Sequence, residues 1–194
     1  MPVGWRTEER ILVAGIGWRF WRDRAFGCYV IDSLKAHPLP RWLEAEDYGF
    51  GAVLMLQALS SRPQKYRRVF VVHAEERGRK KGCLYTYRYD GWLPPTPVVQ
   101  ALVAEAVGGV IAVEPFLIVG RYFGILPDEV IVVEAEPLDT EYGEGLSDPI
   151  RRLVPLAIRK ILALARCPCL PDFPLFRFPV SATAGGFALS TPPL

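Results

Sequence analysis

The sequence predicts an α/β fold: a three-layer sandwich in which helices cover both faces of a mostly parallel, twisted sheet of about five strands. Short apolar runs, which are typical of buried strands, alternate along the chain with helical patterns. Such alternation favours parallel neighbours joined by helical crossovers. The chain has 194 residues, of which 51% are hydrophobic, and this is enough for one domain with a sizeable core.

Five segments have the pattern of strands. Residues 10–15, 68–73 and 129–134 are continuous apolar runs, which is typical of strands buried on both faces. Residues 41–47 form a further candidate strand. Residues 83–89 alternate tyrosine with polar side chains, which favours a half-buried strand at the edge of the sheet.

Four segments have the 3.6-residue apolar spacing of amphipathic helices. The first follows Asp23 and ends before Pro38, and the others lie at residues 51–59, 98–107 and 148–164. The last of these has the clearest apolar face. In sheets of this kind ligands bind at the carboxyl ends of the strands, so the loops that follow the first and third strands are the expected functional site.

The composition changes near residue 167. Residues 1–166 are predicted to form the α/β domain, and residues 167–194 a proline-rich tail without periodicity. No apolar run reaches the ~18–20 residues that a membrane span needs. The charged N-terminus lacks the apolar core of a signal peptide, so we expect a cytoplasmic protein.

The net charge is only +2, which argues against a nucleic-acid partner, but the charge is unevenly distributed. Residues 62–88 carry nine Lys or Arg, whereas residues 122–150 carry eight Asp or Glu and no cation. The basic segment is either a solvated edge or a surface for an acidic partner. Asn is absent and Gln occurs three times, which suggests a thermophilic source. The four cysteines would then be either free thiols or disulfide-bonded.

The loop after the first strand contains Gly15 and Gly17, which indicate a tight turn. A dinucleotide-binding fingerprint would need a third glycine where Phe20 stands. Trp18, Phe20 and Trp21 make this loop strongly aromatic. The aromatic residues would either line a buried site or form an exposed patch for a protein partner.

Four segments, in the same order, resemble the hydrogenase maturation endopeptidases. Residues 11–27 contain a strand, Gly-x-Gly, an Asp and a helix start; residues 47–51 form a glycine-rich turn after Asp47. Residues 69–74 are an apolar strand that ends in His-Ala, and residues 130–147 contain a strand, a proline and Gly-x-x-Leu-Ser before the last helix. The resemblance covers roughly residues 10–165 and implies the same α/β fold.

That family removes a C-terminal peptide from the large subunit of nickel-iron hydrogenases, and it recognises nickel through three side chains. The resemblance places these three positions at Arg24, His73 and Val98, with Trp18 in place of an Asn. A guanidinium has no lone pair for a metal, and valine offers no donor atom. His73 remains a competent ligand for nickel or zinc, with Asp23 and the acids after His73 as the nearest oxygen donors.

The resemblance therefore implies a hydrogenase maturation protease-like protein that acts on a hydrogenase large-subunit precursor, with Asp23 and His73 as catalytic residues and His73 as the metal ligand. Nickel would be the cofactor. The alternative is a non-catalytic relative that binds a protein partner or an anionic peptide through the former nickel pocket. The candidate binding residues are Gly15, Gly17, Trp18, Arg24, Asp47 and Gly49.

Overall fold

The fold was analysed in a computed structural model, which describes residues 10–49, 52–61, 66–106, 112–176, 180–183 and 186–189. Eight strands are described: β1 (Ile11–Gly15), β2 (Leu43–Asp47), β3 (Arg68–Ala74), β4 (Leu84–Tyr89), β5 (Glu129–Ala135), β6 (Leu175–Phe176), β7 (Val180–Thr183) and β8 (Gly186–Leu189). Five α-helices are described: α1 (Phe26–Lys35), α2 (Ala52–Ser60), α3 (Thr96–Ala106), α4 (Val113–Tyr122) and α5 (Asp148–Arg166).

The main sheet has the strand order β2-β1-β3-β5-β4-β6. Strands β2, β1, β3 and β5 are mutually parallel, and β4 pairs antiparallel with β5. All seven residues of the central strand β3 are buried, because helices cover both of its faces. The prediction of a mostly parallel sheet with five principal strands is confirmed.

Two separate cores confirm the three-layer arrangement. Side chains of α2, α3 and α4 pack on one face of the sheet, and side chains of α1 and α5 pack on the other. Helix α4 was not predicted from the sequence. Its first eight residues are all buried, and they include Pro115 and Gly120, two residue types that disfavour a helix by intrinsic propensity.

The C-terminal segment contributes to the sheet. The two residues of β6 pair with Arg88 and Tyr89 at the end of β4, and β7 and β8 form a separate antiparallel pair. The end of α5 is held by the buried side chain of Arg68, the first residue of β3. Arg68 donates to the carbonyl oxygen of Leu164 and, through its Nε, to Glu129 at 2.7 Å. Arg68 thereby places a cation at the C-terminal end of α5, where it complements the helix dipole.

The domain boundary at residue 166 stays a prediction. None of the described helices is long and apolar enough to cross a membrane.

Candidate functional site

The candidate site lies at the carboxyl ends of β1, β3 and β5, where backbone hydrogen bonds join three loops. The amide of Ile16 donates to the carbonyl of Val72 at 2.9 Å, and the amide of Gly17 donates to the carbonyl of Gly49 at 2.8 Å. These bonds fix the loop after β1 to the ends of both neighbouring strands.

Gly17 is required by close packing of the chain on itself. A Cβ atom at this position would overlap the carbonyl oxygen of Arg24, and one at Gly15 would overlap Ile31 and Gly27. The expected tight turn is therefore present, and the backbone that approaches it belongs to the start of α1. A binding role for Gly15 and Gly17 stays a prediction.

Asp23 is fully buried and organises the loops around the site. Its carboxylate accepts hydrogen bonds from the amides of Leu138 and Asp139, both at 2.9 Å. It also accepts one from the amide of Ser147 at 2.7 Å and one from the Ser147 hydroxyl at 2.9 Å. Since four donors already occupy this carboxylate, its contacts are those of a positioning residue. The catalytic role of Asp23 stays a prediction.

His73 is buried at the end of β3 beside Glu134, its partner in the parallel register with β5. The Nε2 atom of His73 lies 2.9 Å from Oε2 of Glu134. Burial would raise the pKa of Glu134, but His73 and Arg77 outweigh that effect and hold the pKa well below its usual range. Glu134 is therefore an ionised carboxylate in the interior of the protein.

Two arginines from the loop after β3 complete a buried ionic cluster. Arg77 donates to Glu134 at 2.8 Å and 2.9 Å and also contacts Glu114 at the start of α4. Arg79 donates to Glu136 at 2.9 Å and also contacts Glu134. Only 7% of each arginine side chain is exposed, so these ion pairs are shielded from water.

Tyr87 of β4 is a further donor to this cluster. Its hydroxyl donates to Oε2 of Glu134 at 2.9 Å. Burial raises the pKa of Tyr87 well above its ordinary value, and the neighbouring Glu134 adds to the rise, so the phenol stays protonated and able to donate. Glu134 thus receives donors from β4 and from the loop after β3, in addition to its neighbour His73.

Arg24 and Glu75 lie near this cluster, and both are half-buried. Burial raises the pKa of Glu75; His73 and Arg24 act in the opposite direction, and Glu114 adds to the rise. Within the described residues, the Arg24 guanidinium makes no hydrogen bond and no ion pair. The interaction that it makes there is its electrostatic effect on the pKa of Glu75. Arg24 is therefore a partly desolvated cation with donors to spare.

The predicted binding residues Asp47 and Gly49 form a turn. The amide of Gly49, at a φ of +56°, donates to Oδ1 of Asp47 at 2.8 Å. The other carboxylate oxygen of Asp47 accepts from Nε of Arg19 at 3.1 Å, and Arg19 also donates to Asp32 at 2.8 Å. Asp47 is thereby engaged by the chain itself, and its binding role stays a prediction. Trp18 is exposed, whereas Val98 is buried in the core on α3.

Comparison with solved structures shows the same fold in other proteins. A hydrogenase 2 maturation peptidase from a Thaumarchaeota archaeon is 23% identical over 81% of this chain and 99% of that chain, with a TM-score of 0.59. An endopeptidase from Escherichia coli is 20% identical over 85% of this chain and 97% of that chain, with a TM-score of 0.64. The nickel-iron hydrogenase maturation protease HycI from Thermococcus kodakarensis is 20% identical over 82% and 92%, with a TM-score of 0.59.

The chain has the fold of the hydrogenase maturation peptidases. At these identities the likeness establishes the fold, while function depends on the site. The sequence matches no protein-family model and no curated protein sequence.

The side chains at this site do not fit the nickel that the hydrogenase maturation peptidase fold implies. Among the residues that the structure describes, no three His, Cys, Asp or Glu side chains converge as metal ligands. His73 faces Glu134, and Glu134 is already occupied by Arg77 and Arg79. A dication placed here would meet guanidinium groups instead of open carboxylates, which is electrostatically unfavourable.

Sequence reasoning missed the ionic cluster. Glu134 and Glu136 were recognised only as part of a strand and the turn after it, and Arg77 and Arg79 only as members of a basic segment. One signal was available. The acids stand at the end of the apolar strand β5 and the arginines follow the apolar strand β3, and parallel strands bring their carboxyl ends to the same edge of a sheet. The pairing itself depends on the loop conformation, which no sequence spacing specifies.

Proposed function

We propose that this protein is a divergent relative of the hydrogenase maturation peptidases that binds the carboxylate-terminated segment of a protein partner without holding nickel. The observation that carries the proposal is Arg24. This half-buried cation stands where the sequence resemblance puts an acidic nickel ligand, and its guanidinium has donors to spare. A peptide carboxylate is the planar anion that a guanidinium binds through two parallel hydrogen bonds.

The charges around Arg24 favour an anion over a metal ion. Arg77 and Arg79 form ion pairs with Glu114, Glu134 and Glu136, the acids of the neighbouring ionic cluster, so each of these carboxylates already has a cationic partner. Glu75, the remaining acid near Arg24, has a raised pKa because it is buried. Arg24 therefore offers a half-buried guanidinium without an ion-pair partner among the described residues, and this arrangement favours binding of a carboxylate.

The test compares two forms of one peptide, the C-terminal twelve residues of a hydrogenase large-subunit precursor, with a free acid or an amidated C-terminus. We expect calorimetry to show that the free acid binds at least about tenfold more tightly, a difference typical of a charge-assisted pair. Arg24→Ala should abolish this difference, whereas Arg159→Ala, on the exposed face of α5, should preserve it. Equal affinity for the two peptides would refute the proposal.

The second candidate is cleavage of a hydrogenase large-subunit precursor, with His73 as metal ligand and with Asp23 and His73 as catalytic residues. Its support is that solved structures sharing the fold are maturation proteases and endopeptidases. Mass spectrometry of the precursor, incubated with the protein and nickel, decides between the candidates. Shortening of the precursor, together with micromolar nickel binding that His73→Ala abolishes, would establish the peptidase; an intact precursor supports the binding protein.

A further inference from the structure

An exposed aromatic surface lies beside the candidate site. We define it as Trp18, Phe20, Trp21 and Tyr142, whose residues are between 37% and 75% exposed. The rings of Trp18 and Trp21 are 6.1 Å apart and edge-to-face, and those of Trp21 and Tyr142 are 6.5 Å apart and nearly perpendicular. Contiguous exposed aromatic rings are unusual on a monomeric protein and are typical of binding surfaces.

The loops that carry this surface are held together by their backbones. Trp21 and Gly143 form a parallel bridge, in which the amide of Arg22 donates to the carbonyl of Gly143 at 3.0 Å. The amide of Gly143 in turn donates to the carbonyl of Phe20 at 2.8 Å. The buried carboxylate of Asp23 joins the same two loops. The rings are therefore preorganised for contact with a partner.

The backbone of this loop is strained at Arg22. Its φ is +44°, in the left-handed region that a non-glycine residue rarely adopts. Such strain persists only where the surrounding structure enforces it, most often at functional sites. The loop is strained at the residue that follows the central ring of the surface, Trp21.

The charges around the aromatic surface are predominantly acidic. Tyr142 is flanked by Glu141 and is two residues from Glu144, and both acids are exposed and form no ion pair within the described residues. Two of the neighbouring cations are engaged: Arg19 binds Asp32 and Asp47, and Arg22 lies 3.9 Å from Asp139. Arg24, whose backbone is hydrogen-bonded to Trp18 and Trp21, is the half-buried cation of the candidate site. The exposed charge that stands unpaired next to Tyr142 is therefore negative.

We propose that the aromatic surface binds an arginine- or lysine-bearing segment of a partner protein. Cations bind over the faces of Trp and Tyr rings, and unpaired carboxylates next to those rings strengthen the attraction. Nucleic acids and anionic membranes carry phosphates, which Glu141 and Glu144 would repel. The proposal rests on the proposed function only in taking the partner to be a protein.

The probe is an eight-residue peptide of alternating arginine and leucine, blocked at both ends so that it has no carboxylate for Arg24. We expect it to quench the tryptophan fluorescence on binding, more weakly at high salt, while the matching uncharged glutamine–leucine peptide, also blocked at both ends, does not bind. Tyr142→Ala and the double variant Glu141→Gln with Glu144→Gln should each weaken binding at least about tenfold, as loss of an interface anchor does.

The control variants remove equivalent groups elsewhere on the surface. Tyr122→Ala removes an exposed ring at the end of α4, and Glu105→Gln with Asp172→Asn removes two exposed acids. Both should bind the arginine peptide like the wild type. Binding that is equal for both peptides, unchanged in the Tyr142 variant or equally reduced in the controls would overturn the proposal. A concentration-dependent dimer abolished by Tyr142→Ala would also overturn it, by assigning the surface to a second copy of the chain. Failure of the Arg24 test leaves this experiment unaffected, because the probe has no free carboxylate.

Discussion

Asp23 and Ser147, 124 positions apart in the chain, meet at two hydrogen bonds. The Ser147 amide donates to Oδ1 of Asp23 at 2.7 Å, and the Ser147 hydroxyl donates to Oδ2 at 2.9 Å. Together with the amides of Leu138 and Asp139, this contact fixes the loop between β5 and α5 against the loop between β1 and α1. One buried carboxylate thus shapes both sides of the candidate site.

Removing this carboxylate should destabilise the fold. Asp23→Ala leaves three part-buried amides and one hydroxyl without their acceptor, and each unsatisfied group costs free energy. We expect the free energy of unfolding, measured by urea denaturation, to fall by about 3 kcal/mol. Asp23→Asn, which keeps one acceptor oxygen, should lose less. An Asp23→Ala protein as stable as the wild type would contradict the role assigned to this residue.

Glu134 should make the protein sensitive to acid. Although burial opposes its ionisation, His73 and Arg77 hold the pKa of Glu134 below the ordinary value of 4.5. In the window below 4.5 an unfolded chain binds this proton and the folded chain does not. The stabilisation is therefore complete above that pH and is lost as the pH falls through the window.

The comparison variant for this pH dependence is Glu134→Gln. It should be about 3 kcal/mol less stable at neutral pH, because the buried Arg77 and Arg79 lose a counter-charge. Its free energy of unfolding should also change less than that of the wild type over the acid window, as measured by denaturation at a series of pH values. Parallel stability curves for the two proteins would show that Glu134 is not the group responsible.

Arg77 and Arg19 make similar numbers of ion pairs but should differ in their contribution to stability. Arg77 is buried between Glu114 and Glu134, so Arg77→Met would leave these two buried carboxylates without that counter-charge. We expect the free energy of unfolding to fall by about 3–5 kcal/mol. Arg19 is 45% exposed where it meets Asp32 and Asp47, and water screens those pairs. Arg19→Met should therefore cost at most about 1 kcal/mol. Equal losses in the two melting curves would refute this distinction.

Cys28 should be unreactive in the folded protein. Burial raises the pKa of its thiol to about 12, and Asp47 adds to the rise. At neutral pH the reactive thiolate is therefore almost absent. We expect an iodoacetamide-type reagent to label the exposed Cys169 at least about a thousandfold faster than Cys28, as read by mass spectrometry of peptides. In urea the two rates should converge; fast labelling of Cys28 without urea would show that α1 is not packed as described.

Much of the fold could be predicted, because the spacing of apolar residues along the sequence indicates strands and helices. The apolar runs that became β1, β3 and β5 were visible from the sequence, and so was the amphipathic pattern of α5. Helix α4 was not, because Pro115 and Gly120 within it disfavour a helix by intrinsic propensity. Tertiary packing overrides that local preference, and the sequence pattern does not show it.

The sequence by itself determined the order of the elements and the sheet edge at which Asp23, Arg24 and His73 would gather, since parallel strands bring their carboxyl ends together. Only the tertiary structure decided what those residues contact. His73 meets Glu134 through the register of β3 with β5, and two arginines from a loop form ion pairs with the acids beside them. Secondary structure follows from neighbours a few residues apart, whereas the pairing of buried charges depends on groups that are distant in sequence and adjacent only after folding.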